Sequence, residues 1–102
     1  MKHSLRNFPI LGSTCSAVLS AAANPKQTWV LARIETLADL PAHELGDIWR
    51  RVQIGPLTLT TDALCAALNL ASQVVTLDVQ LTEDPSIELL IEDGVTIECR
   101  LN

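Results

Sequence analysis

VVTLDVQLTEDPSIELLIEDGVTIECRL, running from Val74 to Leu101, is the stretch that decides the fold. Three short runs in it alternate apolar and polar residues with a period of two, the pattern of strands with one buried face. Val75, Leu77, Val79 and Leu81 share one side, followed by Ile87, Leu89 and Ile91, then by Val95, Ile97, Cys99 and Leu101. The opposite side carries Asp78, Gln80, Glu88, Glu92, Thr96, Glu98 and Arg100, with Leu90 as its one large apolar member.

Paired residues in an antiparallel hairpin point to the same face, so parity constrains the turns. A two-residue Asp93-Gly94 turn would pair Glu92 with Val95 and set a carboxylate beside a core valine. A three-residue loop, Glu92 to Gly94, pairs Ile91 with Val95, Leu89 with Ile97 and Ile87 with Cys99, and predicts a left-handed Gly94 in a G1 bulge. For the first hairpin parity predicts a five-residue loop, Thr82 to Ser86, with Leu81 opposite Ile87. In this register Gln80, Glu88 and Glu98 lie side by side, and Asp78, Leu90 and Thr96 form the next row.

Working outward, the 102 residues are the size of one small domain, and an apolar fraction of 48% with 19% charged residues is globular rather than disordered. The net charge of −5 is unevenly spread. Residues 1–54 balance to +2 and residues 55–102 to −7. Such an acidic half repels phosphate and disfavours direct nucleic-acid binding, while a basic protein surface suits it. Aromatic residues make up only 3% of the chain, so stacking on bases is not expected.

Cys15, Cys65 and Cys99 lack metal-site or redox spacing, and each falls where the pattern wants an apolar residue. They are read as buried thiols of a reducing, cytoplasmic compartment. Residues 1–23 have basic and mildly apolar parts, but Pro9, Gly12, Ser13, Thr14, Ser16 and Ser20 interrupt what a signal peptide would need. No run approaches the ~20 apolar residues of a membrane span, so no membrane partner is expected.

Residues 1–12 look like an arm, and 13–53 like a mainly helical part. Ser13 is placed to cap a helix over 14–23, in which Cys15, Val18, Leu19 and Ala22 share a face. Residues 28–38 fit a helix through Val30, Ile34, Leu37 and Ala38, or a strand less cleanly through Val30, Ala32 and Ile34. Their Leu, Ala, Arg and Glu content favours the helix. Asp39 and Pro41 then open a helix whose Leu45, Ile48, Trp49 and Val52 form a buried stripe, with Gly46 allowing a close backbone approach. Gly55-Pro56 turns the chain into a strand at 57–60. A helix capped by Thr60 or Thr61 follows to Leu70, with Leu64, Ala67, Leu68 and Ala71 facing the sheet.

LADLPAHELGDI, residues 37–48, resembles the opening of an F-box, an all-helical module with which the terminal strands disagree. Within it, HELGD (His43 to Asp47) resembles the HExxH helix of zinc peptidases, with Asp47 where the second histidine ligand would stand. The one other histidine is His3, on the expected arm, so an exposed helix face is the preferred reading. No nucleophile elbow, cysteine signature or phosphate loop occurs, and Gly12, Gly46, Gly55 and Gly94 are isolated. No catalytic residue, metal or cofactor is therefore assigned.

These readings converge on a two-layer α+β domain: an antiparallel meander of three or four strands with helices packed on one face. The expected function is non-enzymatic protein–protein binding. The class is an inhibitor of the immunity, antitoxin or phage-encoded antagonist type, docking on a basic surface through Asp78, Gln80, Glu88, Leu90, Glu92 and Glu98. An accessory subunit or assembly factor of a larger enzyme complex, held by apolar contacts of Leu90, Trp29 or the arm, is the alternative. A homodimer is compatible with either.

Overall fold

A computed structural model describes the backbone of residues 2–5, 10–37, 43–92 and 96–100, and the side chains of 10–37 and 43–92. The elements in chain order are β1 (Lys2–Leu5), α1 (Gly12–Ala22), β2 (Thr28–Leu37), α2 (His43–Ile54), β3 (Leu57–Thr60), α3 (Thr61–Leu68), β4 (Gln73–Leu81), β5 (Glu88–Glu92) and β6 (Thr96–Arg100). The fold is α+β, with an antiparallel sheet and the helices on its apolar face. β4, β5 and β6 form the expected meander. β1 lies beyond β6 on one side and β2 and β3 beyond β4 on the other, giving the order β1-β6-β5-β4-β2-β3.

The first hairpin follows parity. Leu77 pairs with Ile91, Val79 with Leu89 and Gln80 with Glu88, and Leu81 N–H donates to the Ile87 carbonyl at 3.0 Å. In the second hairpin the register differs from the predicted one by two residues: Ile91 pairs with Ile97, Leu89 with Cys99 and Glu88 with Arg100. A slip of two keeps every side chain on its face, so parity is blind to it. Electrostatics separates the two. The predicted register sets Glu88 opposite Glu98, whereas the observed one sets it opposite Arg100, and unlike charges are the favourable cross-strand pair. The expected Gly94 bulge lies outside the described residues.

Residues 28–37 are strand, not helix, and they hold the sheet together. β2 pairs with β4 along almost its whole length and with β3 over Thr28–Leu31. Its buried positions are Trp29, Leu31 and Ile34, a spacing of two and then three, because the register shifts between Leu31 and Arg33 and leaves Ala32 as a bulge. A second shift, between Glu35 and Thr36, skips Val75 on β4. Val74 is thereby fully buried in place of the expected Val75, which is only half-buried.

The expected arm also changes. Lys2–Leu5 is an edge strand whose Lys2 pairs with Arg100 and Leu5 with Ile97. α1 begins one residue before Ser13, with Leu11 at the N-cap position and no side-chain cap. α3 forms where expected but ends at Leu68, not Leu70, and its Ala67, with Ala71, packs with Leu45 of α2 rather than in the sheet core. The Thr60 hydroxyl accepts from Ala63 N–H at 3.1 Å, Asn69 is the C-cap, and Leu64, Ala67, Leu68 and Ala71 are buried. On α2, Leu45 and Val52 are buried as expected, but Trp49 is 48% exposed. Gly46 meets only the tip of Arg50. The close approach belongs to Gly12, packed against the Leu68 and Ala71 carbonyls at the end of α3.

The core joins Cys15 and Leu19 of α1, Leu64 and Leu68 of α3 and Val52 of α2 to the inner rows of the sheet. Among these, Leu31, Val79 and Leu89 follow one another in a row across β2, β4 and β5, as do Ile34, Leu77 and Ile91. Cys65 is buried, its thiol donating to the Ser16 carbonyl at 3.4 Å. Among the described residues no helix is long and apolar enough to cross a membrane.

Candidate functional site

The pleat that buries Leu77, Val79, Leu89 and Ile91 puts their alternating neighbours on the outer face. Two rows cross the sheet there. One runs Arg33, Asp78, Leu90, Glu98 and Ser4; the other runs Val30, Gln80, Glu88, Arg100 and Lys2. Gln80 and Glu92 are exposed, and Asp78, Glu88 and Leu90 are half-buried. Of the residues expected to form a docking face, Asp78, Gln80, Glu88, Leu90 and Glu92 are therefore brought together. Glu98 falls beside Leu90 in register, not beside Glu88, and its side chain lies outside the described ones.

The carboxylates have partners on this face, though these do not cancel their mutual repulsion. Gln80 Nε2 donates to Glu88 Oε2 at 2.8 Å. Arg33 reaches Asp78 with its Nε at 3.9 Å and Glu92 with its NH2 nitrogen at 3.8 Å. Arg33 is the member of this face that sequence reasoning missed. Read as part of a helix, it had no reason to sit among the acids; the signal available was the β-rich run Thr28-Trp29-Val30, which makes a strand and turns Arg33 outward.

Partial burial pushes the Asp78 carboxyl above the ordinary carboxylate range, and Glu88 adds to the rise. Arg33 pulls it back without cancelling it, and Glu92 contributes a smaller upward push. The native state thus holds this proton at pH values where the unfolded chain has lost it. Stability must then fall as pH rises from the ordinary aspartate range through the raised folded value. Asp78→Asn is expected to stabilise the protein at neutral pH by under about 1 kcal/mol, the site being partly screened. That gain should vanish below the ordinary carboxylate range, as urea denaturation at several pH values will show; a gain independent of pH would contradict this account.

The HELGD helix offers a different picture. His43 and Glu44 are exposed, and Asp47 is held by Arg51 Nε at 3.2 Å and Arg50 at 4.0 Å, one turn along α2. Among the described residues no group of three or more His, Cys, Asp or Glu is arranged to hold a metal ion. Trp29, expected as an apolar contact for a partner, is 1% exposed and belongs to the core. Trp49 is the tryptophan at the surface. It lines a cleft of about 660 Å³ together with Val52, Gln53, Thr76 and residues 32–35 of β2.

Comparison of the chain with protein-family models, with curated proteins and with solved structures finds no match.

Proposed function

We propose that the chain is a small, acidic, non-enzymatic protein that acts by binding another protein, as an inhibitor of the immunity, antitoxin or phage-encoded antagonist type. The observation that carries this reading is the outer sheet face. There Asp78, Glu88 and Glu92 surround Leu90, a half-buried apolar centre with an acidic rim. A basic groove complements that surface in charge, and occupying it would exclude a nucleic acid from the same groove. Arg33 reaches Asp78 and Glu92 but not Glu88, so the face keeps a net acidic character. Action in the cytoplasm is part of the proposal, supported by the buried cysteines Cys15 and Cys65.

The test is affinity capture with the immobilised chain and with its Glu88→Lys/Glu98→Lys variant at low and high salt. The wild type should retain a basic protein that high salt releases and that the variant loses by at least about tenfold. Equal retention by the two chains would sink the idea. An accessory subunit held through apolar contacts is the second reading, and burial of Trp29 leaves it resting on Leu90. It predicts capture that salt does not weaken.

A further inference from the structure

β3 pairs with β2 only as far as Leu31, so the side of β2 facing away from β4 has no strand partner over Ala32 to Leu37 among the described residues. An unpaired edge presents main-chain donors and acceptors ready to accept another strand. A cleft lined by residues 32–35, Thr76 of β4 and Trp49, Val52 and Gln53 of α2 adjoins this part of β2. We propose that this edge is a self-association site, where β2 of a second copy of the chain pairs antiparallel across a two-fold axis.

The order of charges selects a second copy over an unrelated strand. With Ile34 opposite its own copy, Arg33 stands opposite the second copy's Glu35, Glu35 opposite its Arg33, and Ala32 opposite its Thr36. Both charged residues are exposed, and Glu35 has no ion-pair partner among the described residues. A slip of two in either direction sets Arg33 against Arg33 or Glu35 against Glu35, and a slip of one sets the outer face against the inner. The segment is thus self-complementary in one register. Trp49, half-exposed in the single chain, lines the cleft that adjoins the same residues of β2. The bulge at Ala32 bounds the pairing, and the two-fold closes it, so the assembly ends at a dimer. Arg33 belongs both to this edge and to the acidic outer face, but the inference does not rest on the function of that face.

Sedimentation equilibrium of the full chain, from about 10 μM to about 500 μM, tests it in the range expected of a small interface. The wild type should form dimers across this range. Glu35→Arg, which sets like charges opposite each other twice, should weaken them at least about tenfold. Mixing Glu35→Arg with Arg33→Glu should restore a one-to-one dimer, because one edge is then wholly basic and the other wholly acidic. Arg33 also contacts Asp78 and Glu92, so circular dichroism must first show Arg33→Glu folded; if it is not, Glu35→Arg alone decides the matter. A wild type that stays monomeric or grows beyond dimers overturns the proposal, as does Glu35→Arg dimerising like the wild type or a folded pair that fails to mix. In the first case the edge is left for a strand of another protein.

Discussion

Gly12→Ala is expected to cost the protein about 3 kcal/mol, the upper end of the usual range for an overpacked site. A Cβ at this position would lie 1.9 Å from the Leu68 carbonyl oxygen and 2.5 Å from that of Ala71. Both obstacles are backbone, so no rotamer change relieves them. The first turn of α1 would have to lift from the end of α3, withdrawing the buried Cys15 and Leu19 from the core. That crossing also sets the positive end of α1 against carbonyls at the negative end of α3, an attraction the displacement weakens. For a domain of about 100 residues the midpoint of thermal unfolding should fall by more than about 10 °C. Gly46→Ala is the matched control. Its added methyl meets nothing nearer than the Arg50 guanidinium at 3.9 Å, and alanine's helix preference should raise stability by about 0.5–1 kcal/mol. Equal stability of Gly12→Ala and wild type in urea would show that the two helix ends do not meet as described.

Trp29 is the second position of large effect, and its partner makes the effect divisible. The indole is 1% exposed, and its Nε1–H donates to Thr61 Oγ1 at 2.8 Å, while the Thr61 hydroxyl donates to the Gln27 carbonyl at 3.0 Å. Trp29→Ala should cost about 3–5 kcal/mol through lost burial and the cavity left behind. Thr61→Val keeps the volume but strands the indole N–H in the core, at about 1–3 kcal/mol. In Trp29→Phe the Thr61 hydroxyl still has its acceptor, so a cycle with Thr61→Val should show coupling of roughly 1 kcal/mol. Trp49→Ala, in dilute solution, should cost at most about 1–2 kcal/mol, since about half of its indole is already in water. Urea titrations followed by circular dichroism decide between these values; indistinguishable costs for the two tryptophans would refute the assignment of one to the core and one to the surface.

Those two tryptophans also show what the sequence could convey. Period-two alternation made the meander and its faces legible because β4 and β5 present one face to a core, and the pleat then fixes every second residue. β2 defeated the same reading. The extra residue at Ala32 makes its buried set Trp29, Leu31 and Ile34, and a strand whose period stumbles once resembles a helix in composition and spacing. Arg33 went with it, so the docking face was expected without the cation that reaches Asp78 and Glu92. The sequence assigns Trp49 to the core because it continues the stripe of Leu45, Ile48 and Val52. A stripe records which side of a helix faces inward, not where the sheet beneath it ends. Gly12 was legible only as a helix breaker, since its constraint comes from carbonyls at Leu68 and Ala71, far along the chain. The register of the last hairpin needed the charges, because two-residue slips are silent in a hydrophobic pattern.

The pairing of β1 with β6 has a kinetic consequence. One hairpin or one helix links β2 to β3, β4 to β5 and β5 to β6, and α2, β3 and α3 lie between β2 and β4, whereas Lys2 must find Arg100 across a longer stretch than any of these. Contacts of such long sequence separation carry the largest loop-closure entropy, so they form late and gain only what earlier steps have prepared. During vectorial synthesis the strand made first must therefore wait for the strand made last, and the edge it will cover stays open until the end of folding.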